Sequence, residues 1–168
     1  MAKVKFPLLA GERIERVYEI DQVMVDHIAK RSRDEYPNEA CGVLLEHSEG
    51  RTRGYVDAIN VAREPHHRFM FDAKSMKKLK KLVDEGYKIE AIWHSHPNGR
   101  LSLSLTDVQD AAPAGKPLYP GVVYLVLGLL WVPSTPWMSL VGYLWEDEAF
   151  RQVQIQPVGV LEETTTTG

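Results

Sequence analysis

KIEAIWHSHPNGRLSLSLTD, residues 88–107, is the stretch that decides how this chain is read. Its first part, Lys88 to His94, places Ile89, Ala91, Ile92 and Trp93 in a short apolar run, which predicts a strand. Two histidines, His94 and His96, close it. Side chains alternate faces along a strand, so residues two apart share a side and both imidazoles can reach one ion. Asp107 offers a third donor in the first turn of a short helix, expected over residues 107–112 with Thr106 as its cap. A zinc ion with three nitrogen or oxygen ligands keeps a fourth position for water, which marks a catalytic rather than a structural site. Zinc lowers the pKa of such a water to about 7, and a nearby carboxylate can take its proton and later hand it to a leaving group.

Working outward, a Pro/Gly-rich connection from Pro113 to Gly121 leads to strands expected at 122–128, 138–145 and 150–156. Upstream, residues 14–20 (IERVYEI) alternate apolar and charged like a strand. Asp21 can then cap a helix to about Tyr36, closed by Pro37, with Val23, Val25, Ile28 and Ala29 facing inward. Cys41 to Leu45 has the length of a buried strand, and residues 51–60 are its expected hairpin partner across Ser48-Glu49-Gly50. His67 to Phe71 alternates as a further strand, and Asp72 caps an amphipathic helix through Asp84 that Gly86 ends. No repeat is visible, and the TTTTG ending is expected to fray. The coarse reading is α+β, with one mixed sheet and two main helices.

Composition narrows the function classes. The length of 168 residues suits one domain, and 44% hydrophobic with 26% charged residues is ordinary for a globular chain. Twenty basic against 23 acidic residues give a formal charge of −3, which lacks the broad positive field of a nucleic-acid binder. The basic stretch Lys74 to Lys81 reads as a solvated helix face. The longest apolar run, Gly121 to Val132, is too short for a membrane span, and the N-terminus lacks the apolar core of a signal peptide. The lone Cys41 excludes an intramolecular disulfide, fits a reducing cytoplasm, and reads as a small core residue because no motif pairs it with a base. His66 and His67, being adjacent, would point to opposite faces of a strand; they are read as loop or strand-start residues, not as a second metal site.

The string His94-Ser95-His96-Pro97, six residues, then Ser104-Leu105-Thr106-Asp107, closely resembles the H-x-H-P-x6-S-x-x-D motif of the JAMM/MPN zinc metallopeptidases, in their stand-alone prokaryotic form. The segment Pro37 to Leu45 resembles the surroundings of that family's catalytic glutamate. The resemblance implies a curved mixed sheet flanked by two main helices, with a short third helix carrying a metal ligand, in one domain over residues 1–160 with a tail at 161–168. It also implies one Zn2+ held by His94, His96 and Asp107, Glu39 as general base, and Ser104 as a donor to the oxyanion. The implied substrate is the Gly-Gly terminus of a ubiquitin-like or sulfur-carrier protein; charge and apolar run length point to no nucleic-acid or membrane partner, and a homodimer is left open. Leu103 departs from the proline that often precedes the family serine; Ser102 fails the register, because Leu105 stands three residues beyond it. Two readings within the family remain, a catalytically silent scaffold and a peptidase of the phage tail-assembly type. A zinc deaminase would need a Pro-Cys-x-x-Cys pair, which one cysteine cannot supply.

Overall fold

A computed structural model describes residues 3–9, 14–47, 53–132 and 135–159. In chain order the elements are β1 (Val4–Lys5), β2 (Val17–Asp21), α1 (Gln22–Glu35), β3 (Cys41–His47), β4 (Arg53–Ala58), α2 (Ala73–Asp84), β5 (Tyr87–His96), α3 (Leu105–Ala111), β6 (Val123–Leu130), β7 (Trp137–Glu146) and β8 (Ala149–Val158). The strands form one curved mixed sheet in the order β2-β8-β7-β6-β5-β3-β4, with β1 pairing β7. β5 runs parallel to β6 and antiparallel to β3. β1, which the sequence pattern did not reveal, pairs with Met138 and Ser139, on the part of β7 that β8 does not pair.

The period of two along the central strands sorts their side chains into two cores. Leu44, Ala91, Trp93, Leu125 and Leu127 meet Val25, Ile28 and Ala29 of α1 on one face. Val43, Leu45, Ile92, Tyr124 and Val126 meet Leu79 of α2 and Ala111 of α3 on the other. The same alternation carries past the apolar part of β5: His94 and His96 follow Ile92 onto the α2/α3 face, while Ser95 turns to the other face and accepts a hydrogen bond from Ala40 N at 2.8 Å.

Several local expectations require correction. Val23 is 68% exposed, whereas Val25, Ile28, Ala29 and Ser32 are buried. At about 100° per residue, the stripe at i, i+3, i+4 and i+7 places a residue two before it on the opposite side. Residues 67–71 are not a strand; only Phe71 makes a bridge, with Asn60. Asn60 itself explains this. Its amide nitrogen donates to Glu39 O, Pro65 O and Arg68 O, and its oxygen accepts from Ala62 N and Met70 N, so one side chain replaces the ladder. The short helix begins two residues earlier than expected, capped by Ser104 rather than Thr106. By contrast Asp72 caps α2 as predicted, accepting from Ser75 N, and Gly86 follows that helix with φ +103°. The turn at 48–50 and the tail at 161–168 lie outside the described residues. No described helix is long and apolar enough to cross a membrane.

Candidate metal centre

β5 delivers His94 and His96, α3 delivers Asp107, and the short segment between α1 and β3 delivers Glu39. All four side chains are buried. His94 Nε2 and His96 Nε2 are 3.0 Å apart, and each is 3.2 Å from Asp107 Oδ2. Glu39 Oε1 lies 3.6 Å from His96 Nε2. Donor atoms of Glu39, His94 and His96 fall within 4.8 Å of one another, so this group can hold a metal ion. Two carboxylates therefore compete for the third position. Asp107 is the better placed, because one of its oxygens faces both imidazoles.

The loop after His96 sets the ring chemistry. His96 Nδ1 donates to Arg100 O at 3.0 Å, which aims Nε2 at the cluster. Nε2 and the Asp107 carboxylate converge at 3.2 Å. Such a contact needs a proton or a cation between the two atoms. Tetrahedral zinc with bonds near 2.0–2.1 Å separates its ligand atoms by about 3.3 Å, close to the spacing found, so the residues fit the ion. Gly99 adopts φ +79°, and a Cβ on Gly128 would meet Gly99 O at 2.8 Å. The missing side chain on β6 is what lets the loop fold this closely against the strand. Tyr143 Oη donates to Leu101 O at 2.8 Å and holds the loop from the far side.

Asp107 is fixed by a reciprocal cap: its N–H donates to Ser104 Oγ at 3.0 Å, and its Oδ2 accepts from Ser104 N at 2.8 Å. Burial opposes ionisation of Asp107, but hydrogen bonds from His94 and His96, with that of Ser104 N, outweigh it and hold the carboxyl far below its usual range. Glu39 shows the opposite balance. Burial first, and then the charge of Asp107, push its pKa up to about 8 in the metal-free protein. Its Oε2 is buried without a hydrogen-bond partner. Burial likewise lowers the pKa of His94, against the pull of Asp107.

Every residue singled out from the sequence thus comes to one place, with Ser104 at the edge of the Glu39 crevice. The structure adds four that spacing did not single out for the site. Phe69 stacks on His94 with ring centroids 4.5 Å apart. Asn60 bonds to the backbone of Glu39, whose N–H in turn donates to Pro65 O at 2.7 Å. His66 and His67 sit in the turn at 65–67 and line the crevice beside Glu39. None of the four carries a local signal in one sequence, because their placement depends on a loop held by tertiary hydrogen bonds. Cys41, opposite His94 in the β3–β5 ladder, is buried with its thiol pushed up to about 12, as befits a core residue.

A layered α+β domain in which a buried histidine pair at the end of a central strand meets two carboxylates defines a candidate metal centre. A family model described as prokaryotic homologs of the JAB domain matches residues 21–141, and the chain belongs to that family, a prokaryotic form of the JAMM/MPN domain. Among curated proteins it is 24% identical over 149 residues to Desampylase of Haloferax volcanii, spanning 88% of this chain and 98% of that one. Among solved structures it is similar to a protein of Desulfitobacterium hafniense, with TM-score 0.61 and 19% identity over 88% of this chain and 97% of that one. A protein of Salinibacter ruber follows with TM-score 0.55 and 22% identity, over 88% of this chain and 94% of that one. The two structural likenesses concern the fold.

Proposed function

We propose that this chain is a zinc-dependent peptidase or isopeptidase that hydrolyses the amide bond after the C-terminal Gly-Gly of a ubiquitin-like or sulfur-carrier protein. The observation that carries the reading is the convergence of His94 Nε2, His96 Nε2 and Asp107 Oδ2 beside a buried carboxyl, Glu39, that holds a proton near neutrality. The likeness to Desampylase over nearly its whole length supports the ubiquitin-like substrate class. In this reading His94, His96 and Asp107 hold the ion, which supplies an acidified water and a polarised carbonyl.

Glu39 then takes a proton from the attacking water and returns it to the departing nitrogen. Its environment suits the task, since a group that must both accept and release a proton works best with a pKa near the working pH. Ser104 keeps its hydroxyl proton free while its oxygen accepts from Asp107 N, so it can donate to the oxyanion formed as water adds. On the other side of the cluster a recess of about 330 Å³ opens at His94 and Asp107, lined by Val43, Phe69, Met76 and Ile92 among others. An extended tail entering the site would lay an apolar side chain there.

The test is incubation of the zinc-loaded protein with Gly-Gly proteins extended by a few residues, the cut located by mass spectrometry. Cleavage after the second glycine is expected, abolished by a chelator and restored by zinc. Zinc binding with no cleavage of any extended or lysine-linked Gly-Gly protein would overturn the reading.

A further inference from the structure

The cluster opens onto two unlike cavities. Toward His94 and Asp107 lies the apolar recess already described. A separate polar crevice of about 110 Å³ is lined by Glu39 itself, His66, His67, His96, Arg100 and Ser104 among others. His66 and His67 come from the turn at 65–67 and Arg100 from the loop after β5, and each support is fixed close to the site. Pro65 O accepts from Glu39 N, Asn60 ties that same carbonyl to the Glu39 backbone, and Arg100 O accepts from His96 Nδ1.

The Arg100 charge in this crevice is unspent. The nearby Arg68 guanidinium is paired with Asp110, at 2.9 Å. Arg100, in contrast, donates its Nε–H to Ser102 Oγ at 2.8 Å and has no ion pair with a described carboxylate. The two imidazoles stand with ring centroids 4.1 Å apart. A guanidinium is charged at every relevant pH, and an imidazole keeps at least one N–H donor in either protonation state, so the three together match a carboxylate.

Chemistry says which part of a substrate meets this crevice. The residue that returns the proton must lie next to the departing nitrogen, so the leaving group occupies the Glu39 side and the acyl chain the other. We propose that His66, His67 and Arg100 form a leaving-side subsite that selects an acidic residue, Asp or Glu, within the first two positions after the scissile bond. The assignment rests on the amide-hydrolase reading above, and the three residues determine specificity without taking part in bond cleavage.

The test uses the zinc-loaded protein and two Gly-Gly proteins of identical body, one extended by Ala-Ala-Ala and one by Asp-Asp-Ala. The acidic extension is expected to be cut with roughly five- to tenfold higher kcat/KM, carried by KM, as for one charged contact at a partly exposed site. R100E should reverse the preference, and the double variant H66A/H67A should bring it toward unity, with zinc content and melting temperature measured alongside to establish that each variant is folded and loaded. For an R100E protein that fails to fold, R100Q serves, with loss of the preference expected. Equal cleavage of both extensions by the native chain, or an acidic preference that survives R100E or R100Q, overturns the subsite and leaves the hydrolase reading standing. Cleavage of neither overturns both.

Discussion

Glu39 and Asp107 are carboxylic acids of one cluster, both buried, both beside His96, and the protein treats them in opposite ways. Asp107 sits at the start of α3, where it accepts from a backbone N–H and from two imidazoles, and is held ionised. Glu39 enters β3 with one oxygen unpartnered and a carboxylate neighbour, and is held protonated near neutrality. Environments that drive two acids apart in pKa assign them different work. The permanent anion suits a ligand and the proton holder suits an acid–base role.

Asp107→Ala strikes the anion and should have the largest effect. Removing the proposed ligand should lower zinc affinity by more than the roughly 10- to 100-fold typical of losing only an outer hydrogen-bond partner, and hydrolysis should vanish with the metal. Metal analysis after dialysis checks this. Zinc retained at full stoichiometry would hand the ligand role to Glu39 and break the comparison.

Glu39→Gln strikes the proton holder. Zinc should stay, while kcat falls roughly 10²- to 10⁴-fold. The same variant has a signature independent of activity. Glu39 titrates near 8 when folded and near 4.5 when unfolded, so above 4.5 the unfolded chain releases a proton that the folded chain keeps. Its contribution to stability is therefore greatest below pH 4.5 and is lost as pH rises toward 8, by on the order of a few kcal/mol in the metal-free protein. Asp107 is ionised in both states across that window and adds no slope. Denaturant titrations between pH 5 and 8 should show stability declining more steeply in the native chain than in E39Q. Parallel slopes would mean that Glu39 is ionised throughout.

The convergence of the two histidines was legible in the sequence, because strand period and residue type alone put His94 and His96 on one side. The electrostatic contrast was not. Nothing about Glu39 in sequence predicts an orphaned oxygen, which follows from how β3 enters the sheet and from Asn60, 21 residues away, holding its carbonyl. The same limit explains the expected strand at 67–71. Its alternation is real, but Asn60 takes up the backbone groups of that segment first. The cap of α3 was missed for a simpler reason: Thr106 and Ser104 are both good caps, and only Ser104 lies three residues before the N–H it accepts.

Ser104 caps Asp107 and lines the crevice beside Glu39, and Ser104→Ala separates its tasks. The backbone N–H to Asp107 Oδ2 remains, so zinc should be kept, while loss of the side-chain cap should cost about 1 kcal/mol of stability. If the hydroxyl also donates to the oxyanion, kcat should fall roughly 10²- to 10³-fold, far more than a cap alone explains. A variant less stable but equally active would confine Ser104 to the helix.

The smallest effect tests whether the contrast between the acids extends into the surfaces they face. Met76 is 42% exposed at the apolar recess on the Asp107 side, so a change there should not disturb folding. Met76→Glu places a charge where an apolar residue of the tail is expected, and should raise KM about three- to tenfold for a Gly-Gly substrate with leucine a few residues before the cut. Replacing that leucine by serine in the substrate should make the native chain and the variant nearly alike, because the contact the mutation spoils is then gone. A KM penalty that persists with the serine substrate would place the acyl chain away from the recess. The apolar lining beside Asp107 would then belong to packing alone, and only the Glu39 side of the cluster would read substrate.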